Sequence, residues 1–423
     1  MNGAHQGKLA ATTSLTFLNT GSPTGLKFAV EHGGMRALFD FGVEHAPGRA
    51  PFSMGLRPRP GRELSDLLAV GSAPRLDGVY AGGDWDRRTS LFISHMHLDH
   101  TSLVRFLHPD LPLYYPAAME PLRAAADAGG YLPWRSPAGT PVGDRVTVRW
   151  GEIEVTFIEV DHDVPGSSGF LVRTPDLTIA YTGDHRWHGL HPEVTAAYAA
   201  AVRGVDVLIQ EAVTLGLDPA PEAEIAPPPR LSEGEVIEAL RGVLERPGLV
   251  VVNLYPMNRE RVAGLATAAA AAGRRLVLEP VAALLAGRPE LAGDLAAARA
   301  DPRGHAVQLS FESLPELIDL RPPLGSVYVH SNGPPLGPFD PGWRVMEAWV
   351  SAMSLEYAPV GTTGHSFPED IARMVREVAP GVVVPVHSRR PEALVVPGVR
   401  RLVPQVMRPY TAADLAAAAE LPA

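Results

Sequence analysis

Along the first half of the chain, short runs of apolar residues or of apolar and polar residues in alternation are broken by glycine and proline, a pattern that predicts strands rather than helices. The clearest runs are Ala37-Leu38-Phe39-Asp40-Phe41, Leu91-Phe92-Ile93, Val146-Thr147-Val148-Arg149-Trp150, Ile153-Glu154-Val155-Thr156-Phe157-Ile158 and Leu177-Thr178-Ile179-Ala180-Tyr181. Residues 44–88 are rich in Pro, Gly and Arg and hold no period beyond a helical turn at 64–68, which predicts a long covering or functional loop. From 15 to about 211 the expectation is a largely β core with helices outside.

The pattern changes after a proline-rich connector at 220–229. Ser232 with Glu235 three residues on is a capping-box signature ahead of Val236, Leu240 and Val243. A buried-strand run at 249–254, an Ala-rich helix at 259–272 and another strand run at 275–278 form one βαβ unit, so a parallel sheet is expected. Runs at 306–309 and 326–329 extend it into a doubly wound second domain. The last segment returns to the first style, with a helix at 370–377, a buried strand at 381–386 and an Ala-rich helix at 411–420. The predicted organisation is 1–214, 215–355 as an insertion, and 356–423 as the return of the first domain.

Composition narrows the chemistry. With 423 residues, 46% apolar and 20% charged, the chain has the make-up of a soluble globular protein large enough for two domains. It has no cysteine, so disulfides and thiolate-held metals are excluded and any metal falls to His, Asp or Glu. No hydrophobic run follows Lys8 at the amino terminus and no stretch is apolar enough to span a bilayer, so no membrane partner and a cytoplasmic location are expected. The net charge of −10 argues against a general coat for nucleic acid. A local groove drawn from Arg57, Arg59, Arg62, Arg259, Arg261, Arg389 and Arg390 could still bind phosphates.

The chemistry concentrates in Ser94-His95-Met96-His97-Leu98-Asp99-His100, just after a buried-strand run. In extended backbone, residues two apart project to the same side, so His95 and His97 converge on one ion. Asp99 and His100 follow where a turn aims them at a second. Imidazole and carboxylate suit two zinc ions, with manganese as the alternative. Two ions need further ligands, and three strand runs end in them: His162 after 153–158, Asp184 after 177–181, and His387 after 382–386. Asp184 is assigned as the bridge, with His95, His97 and His162 on one ion and Asp99, His100 and His387 on the other. A bridged pair of ions is the clamp used for in-line displacement at phosphorus.

His-x-His-x-Asp-His, a later His and Thr182-Gly183-Asp184 resemble the metallo-β-lactamase superfamily of αββα sandwiches. Leu208-Ile209-Gln210-Glu211, Gly361-Thr362-Thr363-Gly364-His365 and Pro385-Val386-His387 resemble the β-CASP nuclease branch. Within it, Asp161-His162-Asp163-Val164-Pro165 and Asn258-Arg259-Glu260-Arg261 are most similar to ribonuclease J. The resemblance implies an α/β fold, an αββα sandwich with an inserted doubly wound β-CASP domain, and metal-assisted hydrolysis of single-stranded RNA, with a homodimer allowed. Asp99 would orient the water, His365 would donate to phosphate or leaving oxygen, and Glu211 would hold His365 or a ligand. Ser167, Ser168, Asn258 and Arg261 are the candidate phosphate contacts. His185, His188 and His191 are expected at the surface.

Three departures bear on substrate. Few residues follow His387, Asn19-Thr20-Gly21-Ser22-Pro23-Thr24-Gly25 replaces a glycine-rich first hairpin, and His330-Ser331-Asn332-Gly333-Pro334-Pro335 stands where the family has a Gly-Ser-Gln-Gly-Glu segment. A hydrolase of a small phosphodiester, ester or lactone is the alternative. A non-catalytic scaffold is disfavoured because every ligand position is filled.

Overall fold

A computed structural model describes residues 11–20, 24–132, 134–216 and 230–419. The amino-terminal stretch, residues 21–23, the whole proline-rich connector at 220–229 and residue 420 of the expected last helix lie outside the described residues.

Two seven-stranded sheets face each other. The first runs, edge to edge, Pro409–Tyr410, Ser14–Asn19, Lys27–His32, Met35–Phe39, Thr89–Phe92, Leu113–Pro116 and Thr140–Val142. The second runs Arg400–Arg401, Val382–Val386, Val207–Glu211, Thr178–Tyr181, Ser168–Arg173, Ile153–Glu159 and Thr147–Trp150. Period-two alternation turns Phe17, Phe28 and Phe39 inward from one sheet, and Phe157, Phe170, Ile179 and Tyr181 from the other, into one buried core. Phe28 stacks on Phe39 at 4.6 Å between ring centroids, and Phe39 meets Phe170 across the sandwich at 5.4 Å. The outer face of the first sheet is covered by Leu67, Leu103, Met119 and Leu122. The helices Pro192–Ala201 and Pro368–Val378 cover the second sheet. The layers are therefore αββα, as the sequence pattern and the resemblance led us to expect.

A third sheet, all parallel, has the order Arg275–Val277, His305–Gln308, Val250–Leu254, Val327–Ser331, Glu356–Pro359. Helices Glu233–Leu244 and Arg259–Ala271 pack on one face through Val236, Leu240, Val262 and Leu265. On the other face lie Leu314, Leu317 and the helix Gly342–Ala352, with Trp343, Met346 and Val350. The Ser232 capping box forms, with Glu235 closing back on Ser232. Val207–Glu211 and Val382–Val386 pair in parallel, so all strands of the third sheet fall in the chain between two neighbouring strands of the second.

Some expectations need correcting. A break at 355 would separate Glu356–Pro359 from the third sheet, yet that strand pairs there with Val327–Ser331, because its backbone groups find their partners on that edge. The helix Pro192–Ala201 gave no signal, because Ala and other small or apolar residues surround most of its circumference and leave no amphipathic stripe.

The third sheet is tied to the sandwich by buried charge. Glu233, fully buried, accepts from Arg261 Nε at 2.7 Å, from Arg261 Nη2 at 2.8 Å and from Arg186 Nη1 at 2.8 Å. Arg186, also fully buried, donates to Asp161 at 3.0 Å. Removing the shared carboxylate leaves two buried guanidinium groups short of their counter-charge. Glu233→Ala should therefore lower stability by about 3–5 kcal/mol in denaturant unfolding, with Glu233→Gln recovering part of it; a loss under about 1 kcal/mol would remove this network from its structural role.

Candidate metal centre

The site lies at the carboxyl ends of parallel strands in both sheets, where the backbone leaves the layers and frees side chains to point into one crevice. In the first sheet, Met35–Phe39 leads to Asp40, and Thr89–Phe92 leads to Ser94, His95 and His97. Asp99 and His100 sit on the single helical turn Leu98–Thr101. In the second sheet, Thr178–Tyr181, Val207–Glu211 and Val382–Val386 run parallel and deliver Asp184, Glu211 and His387 to the same edge. Two antiparallel reversals orient Ile153–Glu159 the same way, which brings His162 there too. Gly42 packs so closely behind this turn that a Cβ would stand 2.1 Å from the Asp99 carbonyl carbon.

The donor atoms converge. His95 Nε2 lies 3.0 Å from His97 Nδ1, which lies 3.2 Å from His162 Nε2. Asp184 Oδ2 is 3.5 Å from His95 Nε2 and 3.2 Å from His100 Nε2, while Asp184 Oδ1 is 3.2 Å from His387 Nδ1. Asp99 Oδ2 is 3.2 Å from His387 Nε2 and 3.5 Å from His100 Nε2. Ligand bonds of about 2.0–2.1 Å at tetrahedral angles put neighbouring donors about 3.3 Å apart, so this spacing suits shared coordination. His95, His97, His162 and Asp184 form one group able to hold an ion, and Asp99, His100 and His387 a second.

Hydrogen bonds fix which nitrogen faces inward. His95 Nδ1 donates to Ser94 Oγ at 2.9 Å, and Ser94 Oγ donates to Asp40 Oδ2 at 2.8 Å. His100 Nδ1 also donates to Asp40 Oδ2, at 2.8 Å, and His162 Nδ1 donates to the Gly364 carbonyl at 2.6 Å. With these outer nitrogens engaged, the Nε2 lone pairs of His95, His100 and His162 are presented to the crevice. His100 Nε2, both Asp184 oxygens and His387 Nδ1 are buried without a hydrogen-bond partner. Each such orphan costs about 1–3 kcal/mol unless something satisfies it, and a divalent cation among these donors satisfies all of them.

Electrostatics point the same way. Burial pushes His162 down to about 3 and, helped by the neighbouring imidazoles, holds His95 well below its ordinary value, so both stay neutral and able to ligate. At His387 burial is outweighed by Asp184 and Asp99, which raise it to about 9; at His100 burial is outweighed by Asp184, Asp99 and Asp40. Burial alone would raise Asp184, yet His387, His100 and His365 hold it well below the usual carboxylate range. The cluster draws positive charge to itself, and the donor set is compatible with a divalent metal site.

A model of the beta-lactamase superfamily domain matches residues 71–246. That stretch carries a domain of the beta-lactamase superfamily, and the chain is similar to ribonuclease J. Among its curated relatives is Ribonuclease J 1 of Streptococcus pyogenes, 26% identical over 206 residues, 48% of this chain and 36% of that protein. Ribonuclease J of Mycobacterium tuberculosis is 29% identical over 192 residues, 44% of this chain and 33% of that protein. Ribonuclease J of Sinorhizobium meliloti is 23% identical over 339 residues, 71% of this chain and 57% of that one. The first two matches thus span about a third of the relatives' own length. A crystal structure of a protein of unknown function from Enterococcus faecalis V583 superposes with a TM-score of 0.80 at 27% identity, covering 95% of this chain and all of that one.

The remaining sequence candidates divide. His365, at the lip of the crevice, has Nδ1 3.8 Å from Asp184 Oδ2 and 3.6 Å from Glu211 Oε2. Glu211 is fully buried and also accepts from the Val213 and Ser366 amides. The proposed phosphate contacts are otherwise employed. Arg261 spends all five N–H groups, on both oxygens of Glu233, the Ser331 and Thr362 carbonyls and Asn332 Oδ1. Asn258 caps the helix Arg259–Ala271 and reaches Glu233, Ser167 Oγ donates to the Val164 carbonyl, and the Ser168 amide donates to the Ser94 carbonyl. Internal satisfaction of Arg261, Asn258 and Ser167 removes those side chains from a substrate surface, while Ser168 is buried.

His185 is not at the surface, and His188 is half-buried. His185 is fully buried between Gln210 and Ser366, and His188 stacks on Phe367 at 4.1 Å and donates to the Thr363 carbonyl. Only His191 is exposed, as expected. The sequence reading missed Asp40 and Asp163. Asp40 carries the same signal as Asp184, an acidic residue ending an apolar run, whereas Asp163 lay beside an assigned ligand and drew no separate attention.

Because Asp184 faces both donor groups, Asp184→Asn should impair metal uptake at both, read by elemental analysis after dialysis; full metal content in the variant would refute its shared position.

Proposed function

We propose that this protein is a metal-dependent phosphodiester hydrolase of the β-CASP branch that acts on RNA. The observation that carries the reading is the Asp184 carboxylate, whose two orphaned oxygens stand between two histidine groups with His365 beside them. The third sheet, lying in the chain between two paired strands of the sandwich, supports its assignment as the β-CASP insertion. The names of the ribonuclease J relatives support RNA as substrate.

In this reading His95, His97 and His162 would hold one zinc ion, Asp99, His100 and His387 would hold the other, and Asp184 would be shared; manganese would be the alternative occupant. Bound divalent ions supply Lewis acidity and bring the pKa of water near neutrality. Asp99, with Oδ2 facing His387 and His100, orients the attacking water. The water would first lose a proton to solvent; as the resulting hydroxide oxygen bonds to phosphorus and the opposite P–O bond breaks, His365 in its protonated form would give its own proton to the leaving oxygen. Glu211 holds the His365 ring, and the Ser366 amide on Glu211 Oε1 anchors the loop that carries it.

A second reading, a small phosphodiester, ester or lactone as substrate, is favoured by one feature. A cleft of about 390 Å³ beside His162 is lined by Glu159, Asp161, Asp163 and Glu260, together with Arg259 and His191. Its carboxylates outnumber its arginines, which disfavours a polyanion even though Asp161 and Glu260 pair with Arg186.

One assay separates them. Metal-assayed protein is incubated with end-labelled single-stranded RNA, single-stranded DNA, bis(p-nitrophenyl) phosphate and a lactone, with and without chelator. Chelator-sensitive RNA cleavage is expected. Hydrolysis of the small substrates with RNA intact would replace the first reading with the second, and no phosphodiester cleavage by metal-loaded protein would sink it. His365→Ala should keep its metal and lose about 10²–10⁴-fold in turnover; metal loss in that variant would contradict its role.

A further inference from the structure

Three of the histidines use Nδ1 outward and Nε2 inward, and His97 does the reverse. Its Nδ1 faces the crevice, 3.0 Å from His95 Nε2 and 3.2 Å from His162 Nε2. Its Nε2 therefore points outward, and a neutral imidazole that ligates through Nδ1 carries its proton there. The outer nitrogens of His95, His100 and His162 end on Ser94, Asp40 and Gly364. At His97 the acceptor in reach is Asp163, with Oδ1 3.3 Å from Nε2.

We infer that Asp163 is the positioning residue for His97, accepting its Nε2–H and so fixing the tautomer and ring angle with which His97 ligates; this rests on the metal-centre reading proposed above. Asp163 is built for such a post. It follows His162 directly, so the backbone that places one ligand also places the carboxylate that aims another. Gly364 closes over it: a Cβ there would stand 2.6 Å from the Asp163 carboxyl carbon, which restricts the carboxylate to its present direction. On the His97 ring, Tyr255 packs edge-on at 5.3 Å between centroids. Oδ1 is buried and has no other hydrogen-bond partner. At 3.3 Å the contact is long for a charge-assisted bond. Among the described residues, His97 is the most exposed of the histidines assigned as ligands and lacks the enclosing packing that holds His95 and His100, so it depends most on such a tether.

The competing role is direct ligation, since Oδ1 also lies 3.3 Å from His162 Nε2. Asparagine separates the two, because it keeps an acceptor oxygen and loses the charge. Zn2+ affinities of wild type, Asp163→Ala and Asp163→Asn would be measured by competition with a chromophoric chelator, alongside the visible spectrum of Co2+-loaded protein. Asp163→Ala should weaken one ion by about 10–100-fold, leave the other within about twofold, and shift the Co2+ bands; Asp163→Asn should recover most of the affinity. Unchanged affinities in Asp163→Ala overturn the inference while leaving the metal centre standing. Asp163→Asn as poor as Asp163→Ala overturns positioning in favour of ligation. A wild type that takes up no divalent ion overturns the metal-centre reading itself, and this inference with it.

Discussion

The buried carboxylate of Asp40 is the constraint on which the centre depends. It ends Met35–Phe39 with φ +53, a left-handed conformation that turns its side chain between the two sheets. There it accepts from the Ser94 amide at 2.7 Å, from Ser94 Oγ, His100 Nδ1 and Tyr181 Oη at 2.8 Å each. Ser94 passes the restraint to His95, and Tyr181 belongs to the opposite sheet. One residue therefore sets the ring angle of a ligand from each donor group and pins the separation of the layers. A buried carboxylate with four donors has the hydrogen bonds it would make to water replaced by bonds within the protein.

The centre's other strained element serves the same end. His387 takes φ +57 with its amide held by the Thr20 carbonyl at 2.8 Å. A β-strand continuing past Val386 would carry the imidazole along the sheet; the left-handed step swings it back between Asp99 and Asp184. Strain here is held by backbone bonds on one side and by the cluster on the other.

The sequence made the ligand positions legible because each stands where an apolar run meets a polar break, and a strand that leaves its sheet has only one direction in which to present a side chain. The doubly wound character of residues 233–359 was legible for the same reason: buried parallel strands are short, continuous apolar runs. What the sequence hid was satisfaction. Arg261 and Asn258 read as free cations and amides until Glu233, a residue with no motif of its own, was seen to be buried between two guanidinium groups. His185 carried no apolar context, yet Gln210 and Ser366 bury it through polar contacts alone. Single-chain patterns register apolar periodicity and strand ends; they do not register which polar group has already spent its hydrogen bonds.

That distinction bears on recognition. Phosphate binding requires donors not already committed, and two of the arginines on this side of the molecule are committed inward: Arg186 to Asp161 and Glu233, Arg261 to Glu233 and three further acceptors. Arg259, on the cleft, gives its Nε to the Leu285 carbonyl. Beside His162 the lining is instead carboxylate-rich. In the proposed reading the positive charge offered to an anionic substrate beside His162 would come from an ion held by the histidine and aspartate donors rather than from Arg186 or Arg261. Such a site would bind a single phosphoryl group there and gain little from these two arginines at the flanking phosphates of a long chain, so hydrolysis and chain recognition would rest on different parts of the molecule.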